Sequence, residues 1–308
     1  MFKRILAAVD DSERARLVMQ VGRSLATRAG GALVVLRVRP PHADRDVVSD
    51  RDAALAEQTQ ALRVDGMRAH YLVHQGRAER QIIETAQLQH STLIVIASRR
   101  EEPFARQRRM TARLAAHSPV PVLVAPERGP ASGPQPRAMA PEDDEDSSLF
   151  GPDDAPLLVA LDGSSLAEQA LPYAIELAAL LERPLALIFV ALPLLSQEDR
   201  AHAWDYIEEV RRRVHERIVR ETQRETRVDA QVLSGAPVDE LLWAAEGRRA
   251  GAIVLAARGQ TGLASARASL LALEALRRVE IPALVIPTPL LASTAMQPSP
   301  QADEPTTG

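Results

Sequence analysis

The sequence predicts a doubly wound α/β fold built twice within one chain. Three observations predict it. First, a short apolar run ending on Asp and followed by Ser occurs at residues 5–16 and again at 157–168, giving Asp10 and Ser12 in one copy and Asp162 and Ser164 in the other. Second, each copy then alternates strand-like and helix-like stretches, the signature of βαβ units. Third, several strand candidates are continuously apolar, as strands covered by helices on both faces must be, which points to parallel pairing. The copies also close alike, on Ser118–Val124 and Glu280–Ile286. The offset between copies drifts only from 152 at Asp10/Asp162 to 159 at Gly76/Gly235 and 161 at Pro121/Pro282. That spacing means duplicated domains, because solenoid repeats recur every ~20–50 residues.

In the first copy the strand candidates are Ile5–Val9, Ala32–Val38, Arg68–His74, Leu93–Ser98 and Val120–Ala125. Leu17, Val18, Val21 and Leu25, and later Ile82, Ile83 and Ala86, recur at helical spacing between them. Gly30-Gly31 ends the first helix. In the second copy the strands are Leu157–Leu161, Leu185–Val190, Arg227–Leu233, Ala252–Ala257 and Ala283–Ile286. Ser165-Leu166-Ala167-Glu168 reads as a capping box after Asp162. Ser196–Asp199 opens a long charged helix with an apolar face at Trp204, Ile207, Val214 and Ile218. Gly76 and Gly235 each follow a strand and precede a helix, where a tight turn calls for positive φ. Pro121 and Pro282 stand at the mouths of the last strands, where a missing N–H is tolerated.

Residues 127–155 read as an unstructured linker between domains at 1–126 and 156–290, and 291–308 as a tail of the same kind. The linker holds five prolines and an acidic block from Glu142 to Asp146. Such composition buries too little apolar surface to offset chain entropy. The net charge is −4, and residues 142–154 contribute seven acids and no base, so the remainder lacks the basic field of a nucleic-acid binder. No cysteine is present, which removes disulfides, thiol nucleophiles and thiolate metal sites and suits a reducing cytoplasm. Ile5–Val9 is too short for a signal-peptide core, and no segment approaches a membrane span. Neither nucleic acid nor membrane is therefore an expected partner.

The order of these modules, strand-Asp-(Gly)-Ser at the start and helix–Pro–Val-Leu-Val strand at the end, found twice, resembles a tandem of universal stress protein domains. The matching stretches Glu84–Ala97 and Ala236–Ala257 add to the likeness. The resemblance implies a five-stranded parallel sheet of order 3-2-1-4-5 in each half, helices on both faces, and an intrachain pseudo-dimer through the last strands. A homodimer and an unidentified protein partner are the further assemblies it leaves open. It implies a non-catalytic, cytoplasmic stress-response regulator. One branch of the family binds ATP through Gly-x2-Gly-x9-Gly-Ser/Thr after the fourth strand; another lacks the motif and the ligand. In that motif glycines let backbone N–H groups approach phosphate, and a helix N-terminus adds donors.

In the second half the motif aligns on Ala256, Gly259, Ser269 and Leu270, with Arg258 and Arg267 as replacement charge. Asp162 and Val190 match the positions beside ribose and adenine. The resemblance therefore places ATP, ADP or AMP in the second half alone. In the first half the motif positions are Ala97, Arg100, Arg108 and Arg109, and the loop is two residues short. Asp10 and Val38 survive there but specify no ligand alone. The alternatives are that Asp10 and Asp162 merely cap helices, that the chain is an interaction scaffold without a small ligand, and that it hydrolyses ATP slowly. Arg99, Arg100, Arg106, Arg108, Arg109 and Arg113 form a basic stretch, a solvated loop or a dock for Glu142–Asp146. His70 and His74 fall in a strand, where four residues span ~13 Å, so no metal is expected. His117 suits a helix C-terminus. Trp204 and Trp243 read as packing anchors. No Ser-His-Asp elbow, carboxylate pair or Walker pattern occurs.

Overall fold

The computed structural model describes residues 1–10, 12, 14–42, 50–97, 104–126, 149–191, 197–222, 225–257, 274–276, 278–287 and 290, with backbone alone at 104–109, 197 and 222. The first half runs β1 (Arg4–Val9), α1 (Arg14–Arg28), β2 (Ala32–Arg39), α2 (Asp50–Val64), β3 (Arg68–Gln75), α3 (Ala78–Leu88), β4 (Leu93–Ala97), α4 (Phe104–His117) and β5 (Val122–Ala125). The second runs β6 (Leu157–Leu161), α5 (Ser165–Glu168), α6 (Leu171–Leu181), β7 (Leu185–Ala191), α7 (Gln197–Thr222), β8 (Val228–Ser234), α8 (Pro237–Gly247), β9 (Ala252–Ala256) and β10 (Ala283–Ile286).

All ten strands join one sheet, in the order β3-β2-β1-β4-β5-β10-β9-β6-β7-β8. Each half keeps the order 3-2-1-4-5, and its internal pairs are parallel. The halves meet where β5 and β10 pair antiparallel, with Leu123 opposite Leu284. That seam satisfies two strand edges that would otherwise be open. The expected intrachain pairing is therefore present as one continuous ladder.

Strict alternation along each strand sends successive side chains to opposite faces. Ile5, Ala7 and Val9 join one apolar cluster while Leu6 joins the other. Both clusters run through both halves. The first contains Leu33, Leu93 and Leu123 together with Leu284, Val254 and Val159. The second contains Ile94 and Val122 together with Val285 and Ile253. Burial on both faces accounts for the unbroken apolar runs. Phe2 is buried in the first cluster, and its N–H donates to Glu176 of α6 at 3.0 Å, adding a polar tie across the seam.

The register explains the drift between copies. Ala32 pairs with Arg68 and Leu185 with Val228, so the second half gains seven residues between those strands. There α7 has 26 residues where α2 has 15. Ile94 pairs with Val122 and Ile253 with Ala283, so the last crossover of the first half is two residues shorter.

Four sequence expectations change. The segment read as linker up to 155 is folded at its end: Leu149 and Phe150 are buried, and buried Arg183 donates to the carbonyl of Gly151 at 3.0 Å. Leu149 and Phe150 supply apolar surface that the surrounding acids and prolines mask in composition. The helix after Asp162 is capped by Ser164, whose hydroxyl accepts from the Ala167 N–H at 3.1 Å; with Ala167 at the third helical position, the cap is a lone serine and not the capping box read at Ser165. Trp204 and Trp243 are 45% and 62% exposed and anchor no core; Ile207, Val210, Val214 and Ile218 form the buried stripe of α7 instead. Gly76 does take a positive φ of 149°, but Gly235 does not. At Gly235 an added Cβ would meet the flexible end of the Glu240 side chain, which has to move to admit it.

Candidate functional site

Open α/β sheets bind ligands at the carboxyl ends of the strands, where strand order reverses. Here that crevice lies between β1 and β4 and between β6 and β9. Asp10 and Asp162 stand immediately after the strands that border it. Each carboxylate closes a turn onto the serine two residues on. Ser12 donates its N–H to Asp10 Oδ1 at 2.9 Å, and its hydroxyl donates to the same atom. Ser164 repeats this on Asp162 Oδ1, at 3.0 Å from N and 2.6 Å from Oγ. In the second half the serine then caps α5, so Asp162, Ser164 and the Ala167 N–H form one chain of hydrogen bonds.

Val190 is the penultimate residue of β7 and Ala256 the last of β9. They therefore flank Asp162 on either side, on neighbouring strands. Val38 and Ala97 hold the same places in the first half. Gly259, Arg267, Ser269 and Leu270, with Arg258, lie outside the described residues, as do Arg99, Arg100 and Glu142–Asp146. Arg106, Arg108 and Arg109 fall within the backbone of α4, their side chains undescribed. Arg113, the remaining member of the basic stretch, pairs with Glu79 of α3 at 2.8 Å.

The first half has an open pocket of about 590 Å³ at this crevice. It is lined by Ala8, Val9, Val38, Ile96 and Ala97 and by the ionisable Asp10, His42, Arg77 and Glu79. Sequence reasoning found Asp10, Val38 and Ala97 but missed the walls. Pro40, Pro41, Ala78 and Met110 complete the lining. Their one sequence signal is position: each follows the carboxyl end of a strand or lies on the next helix.

Two tyrosines stand at the helices that cover each half's second strand: Tyr71 on β3 donates to Asp52 of α2, and Tyr206 lies on α7. Burial, then Asp52, raises the Tyr71 hydroxyl above its ordinary pKa; burial, then Glu168 and Asp162, does so at Tyr206. Both stay neutral donors at physiological pH. His74 shares a hydrogen bond between Nδ1 and Thr85 Oγ1 at 3.0 Å, and His117 ends α4 with Nδ1 3.1 Å from the Arg113 carbonyl. Among the described residues no group of three or more His, Asp or Glu side chains could hold a metal ion, and no helix is long and apolar enough to cross a membrane.

Two doubly wound halves joined in one sheet, each with an Asp–Ser turn at its switch point, define a tandem α/β protein. The universal stress protein family model matches residues 1–126 and 155–287, and the chain belongs to that family. No curated protein matches it significantly. Among solved structures it is similar to a universal stress protein of Archaeoglobus fulgidus DSM 4304, at 21% identity over 92% of this chain and 95% of that one, with a TM-score of 0.63. A structure from Pseudomonas aeruginosa UCBPP-PA14 ascribed to the same family gives 19% identity, 95% and 96% coverage and a TM-score of 0.67. At these identities the likeness is one of fold.

Proposed function

We propose that the chain is a non-catalytic, cytoplasmic stress-response regulator whose second half holds ATP or its relatives ADP and AMP. The observation that supports this reading is the convergence of Ala256, Asp162 and Val190 at the carboxyl ends of the adjacent strands β9, β6 and β7. In this reading Val190 lines the base slot, and Asp162 accepts from the sugar. Gly259, Arg267 and Ser269 face the phosphates, Gly259 by letting its N–H approach them. Leu270 offers no hydroxyl there, so Arg267 supplies the charge. A bound ligand would bias the β6–α5 turn through the chain from Asp162 to Ala167.

The test has two parts. Purified protein is denatured and any released nucleotide resolved by chromatography. ATP is then titrated calorimetrically into wild type and Gly259→Asp. The reading expects saturable heat in wild type and at least tenfold weaker binding in the variant, because an added carboxylate repels phosphate. Equal heats would remove the site. Silence from both, with no nucleotide released, would favour the interaction scaffold.

A further inference from the structure

The seam joins β5 to β10 and leaves β3 and β8 as the terminal strands of the sheet. Natural edge strands are commonly kept short or blunted by proline, lysine or a bulge. These two are not. β3 has eight residues and β8 seven, against four in each seam strand. Neither contains proline or lysine, and each keeps an unbroken register with its inner neighbour.

The backbone shows which groups face outward. The Gly76 N–H donates to the Arg39 carbonyl, so the even-numbered residues of β3 bond β2. Backbone direction alternates along a strand, so Tyr71 and Val73 turn their N–H and C=O groups away from it. At the far end the Gly235 N–H donates to the Ala191 carbonyl, and Ala230 and Val232 turn outward in the same way. Tyr71, Ala230 and Val232 pack on the first apolar cluster, and Val73, two residues from Tyr71, shares that face. Strands of the second half run opposite to those of the first, as the seam shows. β8 of one chain and β3 of another therefore meet antiparallel, with outward backbone groups opposed and side chains on matching faces.

The helices on that face make the two edges unlike. Beside β3, Ala53 and Ala56 of α2 leave an open groove of about 670 Å³ along Tyr71 and Val73. Its charged members Arg39 and Asp52 bond each other, and His74 bonds Thr85. Beside β8, α7 turns Tyr206 and Arg213 inward to Phe189 and Glu168. At about 100° per residue, Trp204 and Val219 then lie on its outer flank, where both are exposed. In the antiparallel arrangement Val219 comes toward Ala53 and Ala56, and Trp204 toward the exposed Val64 at the end of α2. Joining β3 to β3 would set groove against groove, and β8 to β8 would crowd two Trp204 flanks together. Unlike edges set large residues against small ones.

We infer that the chain associates head to tail with further copies of itself, β8 of one pairing antiparallel with β3 of the next, so that the ten-stranded sheet continues across the contact. Full overlap of the two strands sets Val73 opposite Ala230 of the next copy and Tyr71 opposite its Val232. The two surfaces differ, so the contact is heterologous and does not stop at a dimer. It stands independently of nucleotide binding.

Sedimentation velocity on the full chain over rising concentration tests this. The mass should grow past that of a dimer. Val73→Lys and Trp204→Glu, both at exposed positions, should leave the melting temperature unchanged and raise the concentration needed for association at least about tenfold. Disulfide trapping fixes the geometry, because the chain has no cysteine of its own. Opposed residues of a hydrogen-bonded antiparallel pair lie ~5.5 Å apart between Cα atoms, within disulfide reach. In one chain the two positions lie at opposite ends of the sheet, roughly 40 Å apart at ~4.8 Å per strand. A mixture of Val73→Cys and Ala230→Cys proteins should cross-link to dimers, and a chain carrying both should form a ladder of multimers. A monomer at every concentration, a mass that stops at the dimer, Val73→Cys cross-linking to itself as readily as to Ala230→Cys, or full association of a folded Val73→Lys protein would each overturn the proposal.

Discussion

Arg37 and Phe189 occupy the same place in the two halves. Arg37 pairs in register with Val9, and Phe189 with Leu161, the last residues of the corresponding strands. Arg37 is buried and bonds Asp52 of α2, which Arg39 and the Tyr71 hydroxyl also bond. Phe189 instead meets Tyr206 of α7 edge-on, ring centroids 5.7 Å apart. One half fastens its covering helix with charge and the other with aromatic rings, and the strand order is the same in both. The backbone framework therefore accepts either chemistry at this joint. It does not accept half of one: a whole ionic cluster is replaceable by apolar groups, but removing one member strands the rest in low dielectric.

The largest expected effect follows from that asymmetry. Asp52→Ala removes the carboxylate that Arg37, Arg39 and Tyr71 share and should cost about 3–5 kcal/mol in urea unfolding. A loss below 1 kcal/mol would show that the cluster is not a structural joint. At the seam the halves should behave alike. Leu123 and Leu284 are fully buried and face each other across the antiparallel pair. Truncating either to Ala should cost about 2–5 kcal/mol, and the two losses should agree within about 1 kcal/mol. Unequal losses would mean that one half folds without the other. The turn glycines should differ more subtly. Gly76 has φ of 149°, so Gly76→Ala should cost about 1–3 kcal/mol in backbone strain. Gly235→Ala meets mainly the Glu240 side chain, which can swing aside, and should cost less.

The strands were legible because two-sided burial writes unbroken apolar runs, and the Asp–Ser turns because they recur. The joint at Arg37 was not. A single arginine inside Ala32–Val38 looks like an edge residue until Asp52, fifteen positions away, is placed beside it. The tryptophans misled for the opposite reason: helical spacing put Trp204 on the apolar side of α7, while the stripe through Ile207 and Val210 turned it outward. Phe150 was hidden by its acidic, proline-rich setting. At the ligand end the sequence supplied Asp10, Val38, Asp162 and Val190. It could not supply the pocket, because Pro40, Ala78 and Met110 come from three separate connections that only the folded crossovers bring together.

On the proposed reading the two halves carry unequal ligand ends on equal frameworks. Equilibrium dialysis of wild-type protein against radiolabelled ATP at low micromolar concentration tests this most directly. One ATP per chain, abolished by Gly259→Asp and untouched by Asp10→Asn, is the predicted result. Two equivalent ATP molecules per chain, or one that survives Gly259→Asp and is lost on Asp10→Asn, would contradict it.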